Sequence, residues 1–200
     1  MREKLAAIVN VSRWLPTPRL KKAVGSRLLV TFVWLVIITL LRWEWHWNLI
    51  LIWLGGLVGT FLLDIDHLVY TLVIYPQELT SMRVRDLLEE RRFKDTLVLL
   101  NNTHDERLKL PFHNALSQLV LYVLCFFVLT STASLFGAGL VMATTLHLLK
   151  GEFTLLLQGK EEFLRQNIFW QIKGQISFFH QKLFVILMLL VFLGLNFLLI

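Results

Sequence analysis

The chain has 200 residues, of which 56% are hydrophobic, and its mean hydropathy is +0.64. Soluble domains carry about 45–50% apolar residues, so this composition excludes an ordinary soluble domain and predicts a membrane protein. The 20 Lys and Arg residues exceed the 14 Asp and Glu residues, but a basic excess beside long apolar runs indicates membrane orientation and argues against nucleic-acid binding. The single cysteine, Cys125, excludes an intramolecular disulfide and a thiolate metal cluster. Any metal ligand must therefore be His, Asp or Glu.

Five apolar runs are candidates for membrane-spanning helices, since a bilayer core takes about 20 apolar helical residues. They predict an all-α, polytopic helix bundle that forms a single membrane domain over residues 28–200, after a basic segment at residues 1–27. The predicted crossings are residues 28–41, 49–75, 112–130, 135–149 and 183–200.

The positions of the basic residues predict the orientation. Apart from Arg42, all Lys and Arg residues fall in three blocks, with seven in residues 1–27, seven in residues 76–111 and five in residues 150–182. Basic residues concentrate in cytoplasmic loops, and five crossings with a cytoplasmic N-terminus place all three blocks on that side. We therefore predict a multi-pass membrane protein with a cytoplasmic N-terminus. The second and third blocks mix charged and apolar residues, which indicates amphipathic helices on the cytoplasmic membrane face.

Three polar residues interrupt the second crossing. They are Asp64, Asp66 and His67, and an acid at membrane depth costs about 2.5 kcal/mol or more, so these groups need partners. At 100° per residue, Asp66 shares a helix face with Gly55 and Gly59, where small residues let another helix approach. Asp66 and His67 should therefore point into the bundle. The two aspartates are about 200° apart on an ideal helix, so either the helix is broken here or they have different roles.

Two further histidines lie at the same predicted membrane depth. His113 opens the third crossing and His147 closes the fourth, both at the cytoplasmic end. Imidazole and carboxylate together suit zinc first, with manganese, iron or magnesium as alternatives. Such an ion would lower the pKa of a bound water toward ~7 and produce a nucleophile. The predicted metal ligands are Asp64, Asp66, His67, His113 and His147, and the first three are also the predicted catalytic residues.

These motifs resemble those of a bacterial inner-membrane family, the membrane-bound metal-dependent hydrolases, which is linked to zinc-dependent phospholipase C. That family shows a Pro-Asp-x-Asp-His element, a His-Ser element and a Ser-His-Leu-Leu-x-Asp element. By this resemblance, residues 64–67 match the first element, His113 with Asn114 matches the second, and His147 matches the third. The resemblance implies a metal-dependent hydrolase and covers roughly residues 55–152.

The chain departs from the family pattern at several positions. Leu63 stands at the family's proline, Asn114 replaces its serine, and Gly151 occupies the place of its last aspartate. Glu152 follows directly and is a candidate substitute ligand, and Asn114 is a candidate for supporting a ligand. These departures predict a divergent member.

Three functions are compatible with this pattern. The first is a hydrolase that acts at the cytoplasmic leaflet on a phosphoester or lipid-like substrate through metal-activated water. The second is a magnesium-dependent lipid phosphotransferase that uses the paired aspartates. The third is a non-catalytic membrane protein whose polar cluster is structural. Membrane lipid is the expected partner in each case, whereas the oligomeric state stays open.

The remaining histidines are assigned to solvent or to the membrane interface. His46 lies among tryptophans at the predicted outer interface, and His180 lies beside two phenylalanines. The run His104-Asp105-Glu106 is interpreted as a solvated charged segment.

Overall fold

The computed structural model describes residues 18–43, 46–103, 106–172 and 176–199. Over these residues the chain forms helices and no strands, which confirms the predicted all-α class. One π-helical turn, Tyr70–Ile74, directly follows the third α-helix. The α-helices are α1 (Pro18–Arg42), α2 (Leu49–Leu62), α3 (Ile65–Val69), α4 (Leu79–Glu89), α5 (Phe93–Asn102), α6 (Ala115–Ser131), α7 (Leu135–Leu157), α8 (Glu161–Ile168) and α9 (Phe178–Leu199).

Four stretches of the described chain are long and apolar enough to cross a membrane. They are Val24–Arg42, Leu49–Ile74, Leu135–Leu157 and Phe178–Leu199. The second of these comprises α2, α3 and the π-helical turn. The apolar helix α6 has 17 residues, somewhat fewer than the about 20 that a bilayer core takes. The chain therefore has the helices of a multi-pass membrane protein.

Glycines let α2 and α7 pack closely. A Cβ atom on Gly55 would overlap the carbonyl oxygen of Phe136, and one on Gly59 would overlap that of Leu140. From the other side, a Cβ atom on Gly139 would overlap the backbone of α2. Small residues at such spacing allow helix backbones to approach within membranes. This is the face of the second crossing that the helical arithmetic predicts to be interior.

The apolar core lies between α1, α2, α6, α7 and α9. Leu35, Ile52 and Met142 are fully or almost fully buried there, and the Tyr122 hydroxyl donates to the Met188 carbonyl at 2.8 Å. The outer helix faces stay apolar and exposed over a large area, which is typical of a surface that lipid covers. Among these exposed side chains are Phe32, Val123 and Phe197.

Three helices extend beyond the bounds predicted from hydropathy. Helix α1 begins at Pro18 rather than at residue 28, because proline is tolerated in the first turn of a helix. Helix α7 continues to Leu157 rather than ending at residue 149. Gly151 costs a helix only about 1 kcal/mol, and the Lys150 ammonium reaches the Ser26 hydroxyl at 2.6 Å. Helix α9 begins at Phe178 rather than at residue 183. Parts of the segments predicted to flank the crossings therefore belong to the same helices as the crossings.

The second crossing is interrupted at its polar residues. Helix α2 ends at Leu62 and α3 begins at Ile65, with Asp64 at the N-cap position of α3. The π-helical turn then follows, and the Thr71 hydroxyl donates to the His67 carbonyl at 3.0 Å. The 200° separation of Asp64 and Asp66 left open whether the helix is broken here, and the structure shows that it is. A π-helical turn such as Tyr70–Ile74 is frequent beside functional sites.

Residues 76–111 contain the two short helices that their pattern predicts, α4 and α5. Each helix buries one side and exposes charges on the other: Val84 is fully buried and Leu100 is almost so, whereas Arg85 and Glu89 form an exposed ion pair at 3.0 Å. The described residues 106–114, between α5 and α6, form an irregular segment. Within it, Arg107 contacts His67 and His113 contacts Asp66, so both residues pack against α3.

Candidate metal and phosphoester site

Asp66 is fully buried at the centre of the site. Its Oδ2 atom accepts hydrogen bonds from the Phe112 amide at 2.9 Å and from His113 Nδ1 at 2.8 Å. Its Oδ1 atom is buried and has no hydrogen-bond partner among the described residues. Leaving a buried acceptor unsatisfied costs about 1–3 kcal/mol. This oxygen is therefore a point at which the fold can accommodate a cation.

Three imidazole rings lie side by side next to this carboxylate. The ring centroids of His67 and His113 are 5.8 Å apart, and those of His113 and His147 are 6.2 Å apart. The Nδ1 atom of His147 is buried without a hydrogen-bond partner in the described part of the chain. The structure thus brings together Asp66, His67, His113 and His147, which come from the interrupted crossing, the loop before α6 and the middle of α7.

The site also contains Arg107, which the sequence analysis left in a charged loop. Its Nε–H group donates to His67 Nδ1 at 3.1 Å, and its other nitrogens donate to the Thr103 hydroxyl at 3.0 Å and to the Leu100 carbonyl. Burial lowers the pKa of the Arg107 guanidinium from its ordinary value. Because Nδ1 of His67 accepts, the neutral ring carries its proton on Nε2. Arg107 therefore sets the tautomer of His67 and orients its ring.

Asp64 does not join Asp66. Its carboxylate pairs with the Arg27 guanidinium at 2.5 Å, and both side chains are partly exposed. The interruption of the helix turns the two aspartates toward different partners, so the structure gives them separate environments. Arg27 is a second residue that the sequence analysis missed, because it stood within a block of basic residues assigned to membrane orientation.

Asn114 binds the backbone on both sides of His113. Its side-chain oxygen accepts from the Ser117 amide at 3.0 Å at the start of α6, and its amide donates to the Pro111 carbonyl. The Ser117 hydroxyl donates to the same carbonyl at 2.7 Å. An asparagine at this position satisfies an N–H group that the helix itself leaves without a partner. Asn114 thus holds the turn that presents His113.

Glu152 lies in the same region as the histidines. It is buried, and the Gln118 amide donates to its carboxylate at 3.1 Å. Gly151 is exposed, and no described atom lies within 4 Å of the position that a Cβ would take there. The family's last aspartate would therefore have room at residue 151.

An open pocket of about 320 Å³ leads from His113, His147 and Glu152 to the surface. His113 and His147 line it together with three basic side chains, Arg27, Lys150 and Lys160. Basic side chains around such a cavity favour an anionic ligand, and phosphate is the anion that Arg and Lys commonly bind. The other lining residues are Ser26, Leu148, Gly151, Glu152, Thr154, Leu155, Gln158, Phe163, Asn167 and Ile168.

The donor chemistry of the site suits a divalent metal in part. Within the residues that the structure describes, no three His, Cys, Asp or Glu side chains are arranged as a ready set of ligands. Asp64 and His67 are held by arginines. The unsatisfied buried atoms, Asp66 Oδ1 and His147 Nδ1, are a carboxylate oxygen and an imidazole nitrogen, which are donors that zinc, manganese and iron accept. Asp66 and His147 therefore each offer one buried donor atom without a partner among the described residues, and His113 lies between them, but the three side chains do not form a preassembled ligand set.

The remaining candidates lie apart from this cluster. His46 is exposed. His180 is also exposed and contacts the Ser177 hydroxyl at 2.7 Å. Glu106 accepts a hydrogen bond from the Thr80 hydroxyl at 3.0 Å, while His104 and Asp105 lie outside the described residues.

Comparison with known proteins adds no relative. No protein-family model matches the chain, and no curated protein and no solved structure matches it either.

Proposed function

We propose that this protein is a metal-dependent hydrolase that cleaves a phosphoester of a lipid or lipid-like substrate at the cytoplasmic face of the bacterial inner membrane. One observation carries the proposal: His113 and His147 share a pocket with Arg27 and Lys150, and His113 is bonded to the buried Asp66. Carboxylate and imidazole donors beside basic side chains are the groups that metal-dependent phosphoester hydrolysis uses. The motifs that resemble the membrane-bound metal-dependent hydrolases support the same conclusion.

In this proposal Asp66, His113 and His147 hold the metal ion, with zinc favoured. When bound, the ion supplies a water of lowered pKa and polarises the phosphoryl group. The 2.8 Å contact between Asp66 and His113 fixes the orientation of that imidazole, as carboxylates do for ligating histidines. Arg27 and Lys150 attract the phosphate group, and the anionic lipid surface of the cytoplasmic leaflet lies close to such side chains.

The proposed topology has five crossings, with α6 as a short one and the N-terminus in the cytoplasm. The three basic blocks then share the cytoplasmic side. A helix shorter than the bilayer core is accommodated by local thinning of the bilayer at modest cost. The pocket would open toward the cytoplasmic leaflet, where α4, α5 and α8 lie.

Elemental analysis of the detergent-purified protein tests the metal. We expect about one equivalent of a divalent ion per chain, and loss of most of it in Asp66→Ala and in His113→Ala. His180→Ala removes an exposed histidine outside the site and should keep the metal. Full occupancy in both site variants would refute the assignment. Hydrolysis of a phosphodiester reporter, with and without a chelator, then tests the activity.

A second candidate is a structural cluster without catalysis. Three of its polar contacts are made within the chain, at Arg27–Asp64, Arg107–His67 and His113–Asp66. Such contacts average about 0.6 kcal/mol in membrane proteins, so together they would lock α3 to its neighbours modestly. If the purified protein carries no ion and a chelator leaves its thermal stability unchanged, this candidate replaces the first.

A further inference from the structure

Arg27, which lines the pocket, is held by Asp64, which is not among the lining residues. The two residues come from different crossings, and Nη1 of Arg27 donates to Oδ1 of Asp64 at 2.5 Å. Among the described residues, each is the other's single side-chain hydrogen-bond partner. The ion pair therefore joins a basic residue of the pocket to an acid outside it.

The Asp64 carboxylate binds Arg27 instead of capping its own helix. Asp64 stands at the N-cap position of α3, where an aspartate commonly accepts a hydrogen bond from a backbone N–H group of the first turn. Its side chain makes no such bond. The carboxylate is thus directed to the neighbouring crossing and contributes nothing to the start of α3.

A second cation lies next to Arg27. The Lys150 ammonium donates at 2.6 Å to the hydroxyl of Ser26, the residue that precedes Arg27. Arg27 is also close enough to interact electrostatically with both Lys150 and His147. All of these residues line one pocket, in which three basic side chains outnumber one carboxylate, that of Glu152. A cleft with an excess of one charge concentrates ions of the opposite sign, so this side of the pocket favours an anion.

We propose that Asp64 is a positioning residue, which holds the Arg27 guanidinium so that its remaining N–H groups bind the phosphate group of the substrate. This inference rests on the proposed function. A guanidinium carries five N–H donors in a fixed plane, so one edge can bind a carboxylate while another binds phosphate oxygens. The two aspartates of the interrupted crossing then have different roles, with Asp66 on the side of the metal and Asp64 on the side of the phosphate.

Charge and position have opposite effects on phosphate binding at this ion pair. Asp64 is a negative charge close to the anion, so by charge alone its removal would tighten phosphate binding. If Asp64 positions Arg27, its removal weakens binding, because the released side chain must be ordered again when phosphate binds. A partly exposed ion pair contributes little to stability, so Asp64→Asn should fold. The sign of the change in affinity therefore separates the two effects.

Calorimetric titration of the full-length protein in detergent with inorganic phosphate, at constant ionic strength, tests the inference without turnover. We expect Asp64→Asn and Arg27→Met each to weaken phosphate binding about tenfold, the order of one charge-assisted hydrogen bond. The double variant should bind no more weakly than Arg27→Met, because Asp64 acts through Arg27. Asp64→Glu keeps the carboxylate and should retain most of the affinity. The matched control is Asp95→Asn, the same substitution in an exposed ion pair with Arg92, which should bind phosphate like the wild type.

Unchanged or tighter phosphate binding in Asp64→Asn would overturn the inference, as would a further loss in the double variant. Loss of bound metal in Asp64→Asn relative to the wild type would also overturn it, since Asp64 would then be a ligand. If Asp64→Asn does not fold, Arg27→Lys replaces it, because lysine keeps the charge but lacks the planar guanidinium. That variant should bind phosphate about tenfold less tightly, and wild-type affinity there would refute the role of a positioned guanidinium.

The outcome is separable from that of the proposed function. Phosphate binding that depends on Asp64, in a protein without bound metal or hydrolysis, would remove the hydrolase and keep Asp64 as the residue that positions Arg27. Metal and hydrolysis, with phosphate binding that does not depend on Asp64, would do the reverse.

Discussion

The imidazole of His113 lies 2.8 Å from the carboxylate of Asp66, although 47 positions separate the two residues in the chain. The neighbouring Phe112 amide binds the same carboxylate oxygen at 2.9 Å. Two adjacent residues of one loop are thus attached to a single buried acid of α3. The position of His113 in the pocket therefore depends on Asp66, and the predictions below use this dependence.

Asp66→Asn should weaken metal binding by at least about 10–100-fold, because it removes the charge of a proposed ligand and the carboxylate that orients the His113 imidazole. The asparagine keeps the size of the side chain and one acceptor for the Phe112 amide, so the fold should survive. Titration of the metal-stripped protein measures the affinity. Asp95→Asn, an exposed acid on α5 that pairs with Arg92, is the control and should bind metal like the wild type. A wild-type affinity in Asp66→Asn would show that this carboxylate plays no part in holding the ion.

Gly59→Ala should destabilise the protein by about 1–3 kcal/mol, the cost of overpacking a tight contact. The added methyl group would overlap the Leu140 carbonyl and push α7 away from α2. Gly194→Ala is the matched control on α9, where a Cβ would meet no described atom within 4 Å, and it should be neutral or slightly stabilising. Thermal unfolding of both variants in the same detergent gives the comparison. An equal midpoint for the two variants would contradict the close packing.

Arg107→Met should destabilise the protein by about 1.5–3 kcal/mol, since it removes a charged donor from buried acceptors. It leaves the Leu100 carbonyl without that donor and releases the ring of His67. Arg85→Met, which breaks an exposed pair with Glu89, should cost less than about 1 kcal/mol. Chemical unfolding measures both changes. If the two arginine variants unfold alike, Arg107 does not hold the site together.

Gly151→Asp restores the carboxylate that the resembling family has at this position. The space around residue 151 is open and the residue lines the pocket, so the variant should fold normally. Aspartate is also a better helix former than glycine, by a few tenths of a kcal/mol. We expect the added carboxylate to raise the affinity for a divalent metal several-fold, as measured by the same titration. A fall in metal affinity would place residue 151 away from the ion.

Hydropathy predicted much of the helical framework, because membrane-length apolar runs leave the backbone few alternatives. It was less accurate at helix ends. The first crossing was predicted to begin at residue 28 and the fourth to end at residue 149, yet α1 begins at Pro18 and α7 continues through Gly151 to Leu157. Hydropathy locates only the apolar part of a helix: proline is tolerated in the first turn and an internal glycine costs only about 1 kcal/mol, so neither residue ends its helix.

For the site, the sequence by itself predicted that Asp66, His113 and His147 lie close together, and the structure places them in one cluster. The sequence could not assign their partners. The tertiary structure alone decided that Asp64 turns to Arg27 while Arg107 holds His67. The physical reason is that hydrogen bonds between distant segments depend on side-chain positions to within a few tenths of an ångström, and periodicity along one helix carries no information about the neighbouring loop that approaches it.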